Sequence, residues 1–430
     1  MGEPYIFYTI RLKTQSGVKV MSWPSYPKLS CYDIYMQPLE DIMVIDLSRV
    51  LAGPYCTMML ADMGAEVIKV EQPGTGDETR QWGPPFLAGE SAYYLGVNRN
   101  KMGITLNLRS ERGREILCAL LKQADVIVEN FKLGTMEAWG IDYETLSKLN
   151  PRLIYCNISG YGPDGPRAGL PGYDFIIQAE GGLMSITGPI EGPPMKVGVA
   201  IVDITAGMFA ASAILAALHA REQTGTGQRI DVSLLESQVA WLANVGSGYL
   251  VSGKPPDRYG NGHPTIVPYE VFKAKDDYFA LGVGNDNQFS KLCRVIEQPD
   301  LADDPRFAAN PARVENRAEL IPLLKVIFEK KELDHWLKQL MDVGIPAGRI
   351  NTIERVLNDP QVLHRKMVVE VEHPRAGSVK LLGVPYKFSE TPAEVRFAPP
   401  TLGQHTEQLL SSMLGMELIE IQQLNAEGII

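Results

Sequence analysis

The stretch that decides the fold is KVGVAIVDITAGMFAASAILAALHAR, residues 196–221. It opens with an apolar run at residues 197–202 that is typical of a strand, and after Asp203 it continues with the small and apolar residues of a buried helix. We therefore predict that Asp203 lies at a strand-to-helix junction and caps the helix, where the dipole favours the ionised carboxyl. The local sequence favours a plain helix cap. A nucleophilic carboxylate is the alternative, and only the rest of the chain can decide between them.

Composition predicts a soluble globular protein large enough for two domains. The chain has 430 residues, of which 45% are hydrophobic and 21% are charged. Its formal net charge of −10 opposes nonspecific attraction to nucleic acid or to an anionic membrane, so neither is an expected partner. A phosphorylated ligand would need a local basic pocket.

The cysteine pattern indicates reduced thiols rather than a disulfide framework. The five cysteines form no CxxC pair and are odd in number: Cys31, Cys56, Cys118, Cys156 and Cys293. This pattern suits the cytoplasm, and we expect no metal site. We find no apolar run of spanning length and no signal-peptide core at the start, so we expect a cytoplasmic location.

From residue 42 onward, strand and helix patterns alternate. Predicted strands are IMVIDLS, AEVIKVE, ITLNL, DVIVENF and PRLIYCNISGYG, with helices such as GPYCTMMLADMG and ERGREILCALLKQA between them. Repeated βαβ units predict an α/β fold with a doubly wound parallel sheet. Regular organisation is expected to start only at Pro38.

Composition shifts divide the chain into five segments. We predict an N-terminal extension at 1–37, a large domain at 38–232, a linker helix at 233–258, a smaller α+β domain at 259–345 and a C-terminal return to the large domain at 346–430. The long helix is expected from about Leu234 to Ser252, and YEVFKAKDDYFALGVG predicts an antiparallel hairpin that turns near Asp276.

Neither a Walker loop nor a dinucleotide fingerprint is present, so phosphate binding would need other groups. Basic residues gather in the first half, several at predicted strand ends where α/β sheets bind ligands: Arg49, Lys69, Arg80, Arg99, Lys101, Arg109 and Arg112. A solvated surface would explain them as well. Glycines around Tyr173 and Asp174 allow either close approach to a ligand or simple turns.

A series of runs, in order, resembles the family III CoA-transferases. The runs are SRVLAGPYCTMMLADMGAEVIKVEQPGTGD, VNRNKMGITLNL, ADVIVENF, GYGPDGPRAGLPGYD, GVAIVDITAG, TGTGQRIDVSL, RYGNGHPTIVPYEVFKAKD and LGQHTEQLL. The resemblance covers about residues 38–430. It implies a Rossmann-like large domain that binds CoA, a small domain, and two chains interlocked as a homodimer. The tail supports this dimer, because a chain returning to its first domain closes a ring.

By this resemblance, Asp203 matches the nucleophilic aspartate, and Tyr173, Asp174 and Arg49 line the active site. A glycine loop that includes Gly260, Gly262 and His263 covers the reacting acyl group. Positions that match the CoA site are Val50, Leu106, Arg109, Asn130, Phe131, Thr135 and Trp139. Leu51 and Ala138 depart from residues that other members carry, which argues against formyl or oxalyl as the acyl group.

The implied activity moves CoA from an acyl-CoA to a free acid through an aspartyl anhydride and an aspartyl-CoA thioester, with no tightly bound cofactor and CoA only as part of the substrate. The runs RQWGPPF, VNRNK and TIVPY are most similar to members that use succinyl-CoA and a dicarboxylate such as glutarate, for which Arg49 and Arg99 could pair the distal carboxylate. Two alternatives stay open: an acyl-CoA racemase, although Tyr173 is a poor base, and a CoA-binding protein without turnover.

Overall fold

The computed structural model describes residues 9–14, 17–22 and 36–430. Thr9–Thr14 and Gly17–Ser22 pair as an antiparallel hairpin, so the expectation that regular organisation begins at Pro38 is wrong. Polar and apolar residues alternate in Thr9–Thr14, which is the period of a β-strand. The chain divides into a large unit, comprising Met1–Glu180, Val199–Trp241 and Leu363–Ile430, and a small unit, comprising Gly181–Gly198 and Leu242–Val362.

A six-stranded sheet forms the centre of the large unit, and all its neighbouring strands are parallel. In chain order the strands are β1 (Met43–Asp46), β2 (Glu66–Glu71), β3 (Lys101–Thr105), β4 (Val126–Glu129), β5 (Ile154–Ser159) and β6 (Arg229–Ser233). Their order across the sheet is β3-β2-β1-β4-β5-β6. The predicted parallel α/β sheet is therefore confirmed. The order reverses between β1 and β4, where such sheets open a crevice at their carboxyl ends.

Apolar side chains leave the sheet alternately towards two separate cores. Ile45 and Ile127 enter one core, whereas Val44, Val126 and Val128 enter the other. The first core is covered by Glu111–Leu121, Tyr143–Leu149, Thr406–Leu414 and Leu418–Ala426, and the second by Ala52–Asp62, Ile201–Thr224 and Leu234–Ala240. A sheet covered on both faces explains the nearly continuous apolar runs of its strands.

Shorter elements complete the large unit. An antiparallel hairpin joins Val368–His373 to Gly377–Leu382, and a smaller one joins Phe86–Leu87 to Glu90–Ser91. The remaining helices are Glu78–Gln81, Ala92–Val97, Thr135–Trp139 and Asp174–Glu180. The C-terminal helices pack on the same core as the sheet, so the chain ends in the unit in which the sheet begins.

The small unit contains an antiparallel three-stranded sheet of Tyr269–Lys273, Tyr278–Gly282 and Ala347–Arg349. Its first two strands form the predicted hairpin. An aromatic core that includes Phe272, Phe328 and Trp336 lies between the sheet and the helices. The helices are Leu183–Ile186, Ala243–Ser252, Asp286–Val295, Pro299–Ala302, Asn310–Glu315, Arg317–Phe328, Leu333–Asp342 and Ile353–Leu357. The helix Pro360–His364 spans the boundary between the units at Val362.

The predicted long helix from Leu234 to Ser252 is wrong. It forms two helices, Leu234–Ala240 and Ala243–Ser252, and the units divide between Trp241 and Leu242. Ala243 has a φ of 39°, which interrupts the right-handed helical path at this point.

Candidate active site

Asp203 lies in the first turn of a 24-residue helix, Ile201–Thr224, which we call the Asp203 helix. The predicted strand before it is absent: residues 194–200 have no strand or helix, and Ala200, not Asp203, is the N-cap. The run at 197–202 is interrupted by Gly198 and Ala200, and it has no place in the sheet ladder. Its last two residues already belong to the helix, so Asp203 is a first-turn residue rather than a junction cap.

Asp174 supplies the cap that Ala200 cannot. Its Oδ1 accepts the backbone N–H of Val202 at 2.8 Å and of Asp203 at 3.4 Å. The Nε2 of Gln178 donates to its Oδ2 at 2.7 Å. A carboxylate from another helix therefore satisfies amide groups at the amino end of the Asp203 helix, and two acidic side chains lie close together.

This proximity changes the protonation of Asp203. Burial and the neighbouring Asp174 raise the pKa of the half-buried Asp203 to about 7. Asp203 therefore titrates near neutral pH, which is typical of a group with a chemical role.

Two aromatic residues that sequence reasoning missed lie near these carboxylates. Burial, followed by Asp203, Asp174 and Asp77, raises the pKa of Tyr93 to about 12. Trp82 meets the Tyr93 ring edge to face at 5.2 Å between centroids. Both come from the segment between β2 and β3. The concentration of aromatic residues among its prolines and glycines was the signal that could have marked it.

The loop after β1 packs against the same turn. Val50 and Leu51 share an apolar cluster with Tyr93, with Ala200, which is the N-cap of the Asp203 helix, and with Ile204, which follows Asp203. Leu51 is buried. Leu51 differs from the residue that other members carry at this position, and it places an apolar side chain in the same cluster as Ile204, the neighbour of Asp203.

The positions matched to CoA fall into two groups. Asn130 and Phe131 follow β4 directly, and Asn130 exchanges two hydrogen bonds with the backbone of Arg49, at 2.9 and 2.8 Å. Phe131 meets Trp139 edge to face at 5.3 Å, and the Arg49 guanidinium lies 5.6 Å from the Phe131 ring centre. Together with Val50 and Thr135, which begins Thr135–Trp139, these residues lie around the carboxyl ends of β1 and β4.

The other two positions stand apart from this group. Leu106 is 1% exposed inside the core of the large unit, so its side chain is not available to a ligand in this conformation. Arg109 is exposed at the surface, and its backbone is held by Asn107 and Arg114. Ala138 is exposed within Thr135–Trp139.

A cavity of about 90 Å³ opens beside Phe131 at the ends of β4 and β5. Its polar wall includes Glu129, Tyr155 and Asn157. Burial raises the pKa of Glu129 to about 7, although the hydrogen bonds that Glu129 accepts act to lower it. The Oδ1 atom of Asn157 is buried without a partner.

Most of the basic cluster of the first half is structural. Lys69 pairs with Asp77 at 3.1 Å and Lys101 with Asp46 at 3.0 Å, both fully shielded from solvent. Arg80 contacts Glu71 at 2.6 Å, and Arg112 contacts Glu115 and Glu420 at the surface. Buried charges are tolerated only when paired, and these pairs fix the ends of β1, β2 and β3.

Arg99 is part of this structural set, which corrects its prediction as an anchor for a distal carboxylate. Its guanidinium makes two hydrogen bonds to Asp62, at 2.9 and 2.6 Å, and the side chain is 5% exposed. Arg49 differs, since its ion pair with Glu78 at 2.5 Å is about half exposed on both sides. An exposed pair contributes little stability, so a ligand carboxylate can replace it.

The glycine loop belongs to the small unit. Gly262 donates its N–H to the carbonyl of Tyr259 at 2.8 Å, and Arg317 donates to the carbonyls of His263 and Pro264, at 3.3 and 2.7 Å. Gly260 is exposed with a φ of 59°, a conformation in which glycine carries no steric cost. Tyr173, of the large unit, is 66% exposed.

Two of the glycines before Tyr173, Gly160 and Gly172, lie where two chain segments approach closely. A Cβ on Gly160 would lie 2.7 Å from the backbone of Gly172, so these two segments cross where only glycine fits. Within the described part of the chain, no group of three or more His, Cys, Asp and Glu side chains could hold a metal ion. Cys31 lies outside the described residues, whereas Cys56, Cys118, Cys156 and Cys293 are free.

The Asp203 helix is also long and apolar enough, with a mean hydropathy of 2.0, to cross a membrane by length and composition. This differs from the expectation that no run reaches that length. Half of its apolar window is buried inside the protein, as in the core helix of a folded unit.

Comparison with known proteins identifies the class. Residues 39–406 match CoA-transferase family III, and the chain belongs to this family of enzymes. It is 44% identical over 408 residues to a succinyl-CoA:glutarate CoA-transferase of Mus musculus, covering 95% of this chain and 93% of that protein. It is 45% identical over 386 residues to a succinate–glutarate CoA-transferase of Agrobacterium fabrum (strain C58), covering 88% and 96% of the two chains. A CAIB/BAIF family protein from Brucella suis has a similar crystal structure, with a TM-score of 0.80, 43% identity, and coverage of 88% of this chain and all of that one.

Proposed function

We propose that this enzyme transfers CoA from succinyl-CoA to a dicarboxylic acid such as glutarate, with Asp203 as the nucleophile. The observation that supports it most is the Asp203 carboxyl, which lies desolvated in the first turn of its helix next to Asp174. The relatives named for succinyl-CoA and glutarate support the substrate pair.

The chemistry follows from carboxylate attack on a thioester. A carboxylate oxygen of Asp203 bonds to the thioester carbon, the carbon–sulfur bond breaks, and CoA leaves as a thiolate, whose acid has a pKa of about 8.5. The thiolate then attacks the Asp203 carbonyl of the anhydride, which forms an aspartyl-CoA thioester and releases the donor acid. The acceptor carboxylate attacks that thioester, and the returning thiolate takes the acyl group from the second anhydride. Each step exchanges one acyl bond, so no cofactor is required.

Supporting residues have separate parts in this proposal. The Rossmann-like strand order, with its reversal between β1 and β4, supports CoA binding at the carboxyl ends of those strands by Val50, Asn130, Phe131, Thr135 and Trp139. Arg109 on the surface is suited to a phosphate, and Leu106 supports the site from the core.

Water must be kept from the anhydrides, since they hydrolyse readily. The glycine loop with Gly260, Gly262 and His263 is the segment that we propose to cover the acyl group, because glycine allows the backbone to approach it closely. Tyr173 and Asp174 complete the acidic side of the site. Arg49 is the proposed partner of the distal carboxylate of the substrate. On binding, this carboxylate would replace Glu78 in the exposed ion pair with Arg49.

The whole enzyme is proposed to be an interlocked homodimer in the cytoplasm. Apolar side chains at the amino half of the Asp203 helix and on its neighbours remain exposed in the single chain, which supports a second copy as their cover: Phe175 54%, Met208 46%, Phe209 43% and Trp241 42%.

The test is an acceptor screen against succinyl-CoA, with mono- and dicarboxylates of matched length. We expect only dicarboxylates to form the new thioester and Asp203→Ala to abolish transfer while CoA still binds. Equal use of butyrate would refute the dicarboxylate assignment, and an active Ala variant would refute the mechanism. Rapid α-carbon exchange of a 2-methylacyl-CoA in deuterated water would instead favour the racemase alternative.

A further inference from the structure

Four side chains from outside the loop after β1, residues 47–51, hold its backbone, and we call this loop the Val50 loop. Ser48 donates its N–H to Asp46 at 3.0 Å, and its carbonyl accepts from Lys69 Nζ at 2.9 Å. Asn130 bonds both the N–H and the carbonyl of Arg49. Asp77 accepts the N–H of Val50 at 3.2 and 3.3 Å. Consecutive backbone groups of this buried to half-buried loop are therefore fixed by tertiary contacts.

The loop needs this support, because Val50 has a φ of 70°. A β-branched residue rarely adopts the left-handed region, so the backbone is strained at this position. Strain of this kind persists only where surrounding contacts over-determine it, and such residues concentrate at functional sites.

Asp77 is built to remain a charged acceptor at this place. It is 1% exposed and paired with Lys69, and it also accepts from the N–H and hydroxyl of Thr79, at 3.0 and 2.8 Å. Burial opposes its ionisation, but Lys69 and the bonds from Thr79 outweigh burial and lower the pKa of Asp77. The same carboxylate thus joins β2, the segment after it and the Val50 loop.

What the loop supports is the turn that carries Asp203. Val50 and Leu51 pack in one apolar cluster with Ala200, the N-cap of the Asp203 helix, and with Ile204, which follows Asp203. A relaxation of Val50 to negative φ would turn its side chain away from this cluster and so loosen the packing against the first turn of the Asp203 helix.

We propose that Asp77, held by Lys69, is a positioning residue for the Asp203 reaction. The hydrogen bond that Asp77 accepts from the Val50 N–H keeps the strained Val50 loop against the first turn of the Asp203 helix. This inference rests on the proposed function. It assigns no contact between Asp77 and the substrate, and it predicts that the backbone conformation at residue 50, rather than the charge of residue 77 itself, is what catalysis needs.

The experiment compares three variants and one combination. Asp77→Asn keeps the shape but weakens the acceptor, and we expect kcat for succinyl-CoA and glutarate to fall by about 10- to 100-fold, because small misplacements at a reacting centre carry costs of that order. Val50→Gly removes the strain, since glycine adopts this φ freely. In the combined variant we therefore expect kcat to return to within about threefold of Val50→Gly alone.

Asp125→Asn is the matched control. Asp125 also accepts a backbone N–H, from Met43 at 2.9 Å, and pairs with an arginine, Arg221 at 2.9 Å, but it precedes β4 at the opposite end of the sheet. We expect this variant to lose stability with its kcat unchanged. A kcat loss as large as that of Asp77→Asn would show a merely structural effect and overturn the proposal, as would a combined variant that is no more active than Asp77→Asn.

Amide exchange of Val50 in the ligand-free protein gives a readout that does not depend on activity. We expect exchange of this N–H to accelerate about tenfold or more in Asp77→Asn and to stay unchanged in Asp125→Asn. If wild-type protein transfers no CoA, the proposed function fails, while amide exchange still tests whether Asp77 holds the Val50 N–H. Unchanged exchange of the Val50 N–H in Asp77→Asn would show that Asp77 does not hold this loop, and it would refute the proposal even in an active enzyme.

Discussion

At the scale of single residues, the ionisation of Asp203 is the property on which the reaction depends. Burial and Asp174 raise its pKa to about 7, and only the carboxylate can attack. We expect kcat/KM to rise with pH and to level off above a midpoint near 7, and Asp174→Asn to move that midpoint down because a neighbouring negative charge is lost. A pH-rate profile measures it. A wild-type midpoint below about 5, close to an ordinary carboxyl, would contradict this.

The same raised pKa has a stability consequence. Between about pH 4 and 7 the folded protein holds a proton on Asp203 that the unfolded chain has released. The free energy of unfolding therefore falls as pH rises through this window. Asp203→Asn removes this effect. Relative to wild type, we expect the variant to gain about 1–3 kcal/mol of unfolding free energy at pH 8 and almost none at pH 4. Urea unfolding at both pH values measures the difference, and an equal change at both would be inconsistent with it.

The sequence could not distinguish Arg49 from Arg99, but we expect their replacement by Gln to affect different properties of the enzyme. Arg49→Gln should raise the KM of the acceptor about 10-fold or more with little loss of stability, because its pair with Glu78 is exposed. Arg99→Gln should mainly destabilise the fold, by about 3 kcal/mol or more, because it leaves Asp62 buried without its partner. Steady-state kinetics and thermal unfolding of both variants test this. A selective KM effect in Arg99→Gln would reverse the assignment.

At the scale of elements, the Asp203 helix is placed by its closest approach to Ala52–Asp62. A Cβ on Gly207 would lie 2.5 Å from the carbonyl oxygen of Ala52. We expect Gly207→Ala to cost about 1–3 kcal/mol of stability and to lower kcat, since Gly207 is one turn after Asp203. Gly248→Ala is the control: this helical glycine has open space and should gain about 0.5–1 kcal/mol. A neutral Gly207→Ala would show that the helix is placed by other contacts.

Elements with strong local patterns were predictable, and those set by tertiary contacts were not. The apolar runs of β1, β2, β4 and β5 predicted a parallel sheet covered on both faces, because nearly every residue of such strands is buried. The run before Asp203 carried the same apolar signal without any ladder partner. The start of its helix depends on Asp174, which accepts backbone N–H groups 28 and 29 residues further along the chain, and no local rule locates a cap supplied from such a distance.

The candidate site shows the same limit. Asp203 was found through a resemblance that spans the chain, not through its local surroundings. Charge alone could not separate Arg49 from Arg99, since Asp62 and Glu78 become their partners only in the folded chain. Tyr93 and Trp82 were missed because an aromatic pair in a turn-rich segment has no motif.

At the scale of the whole molecule, the proposed interlocked dimer should not separate on dilution. Two closed rings threaded through each other can part only if a chain unfolds. We expect a dimer by mass photometry at nanomolar concentration, and urea transitions for dissociation and for loss of helical circular dichroism that coincide. Monomers with native circular dichroism at that concentration would contradict the interlocked arrangement.

Trapping of the acyl-enzyme is the most direct test of the central claim that Asp203 carries the acyl group and then CoA. Incubation with succinyl-CoA followed by hydroxylamine should convert an activated Asp203 into a hydroxamate, which peptide mass spectrometry can locate. We predict labelling of the peptide that contains Asp203, its absence without succinyl-CoA, and no label on the peptide with Asp174. A label on another carboxylate, or none at all in enzyme that transfers CoA, would contradict the account.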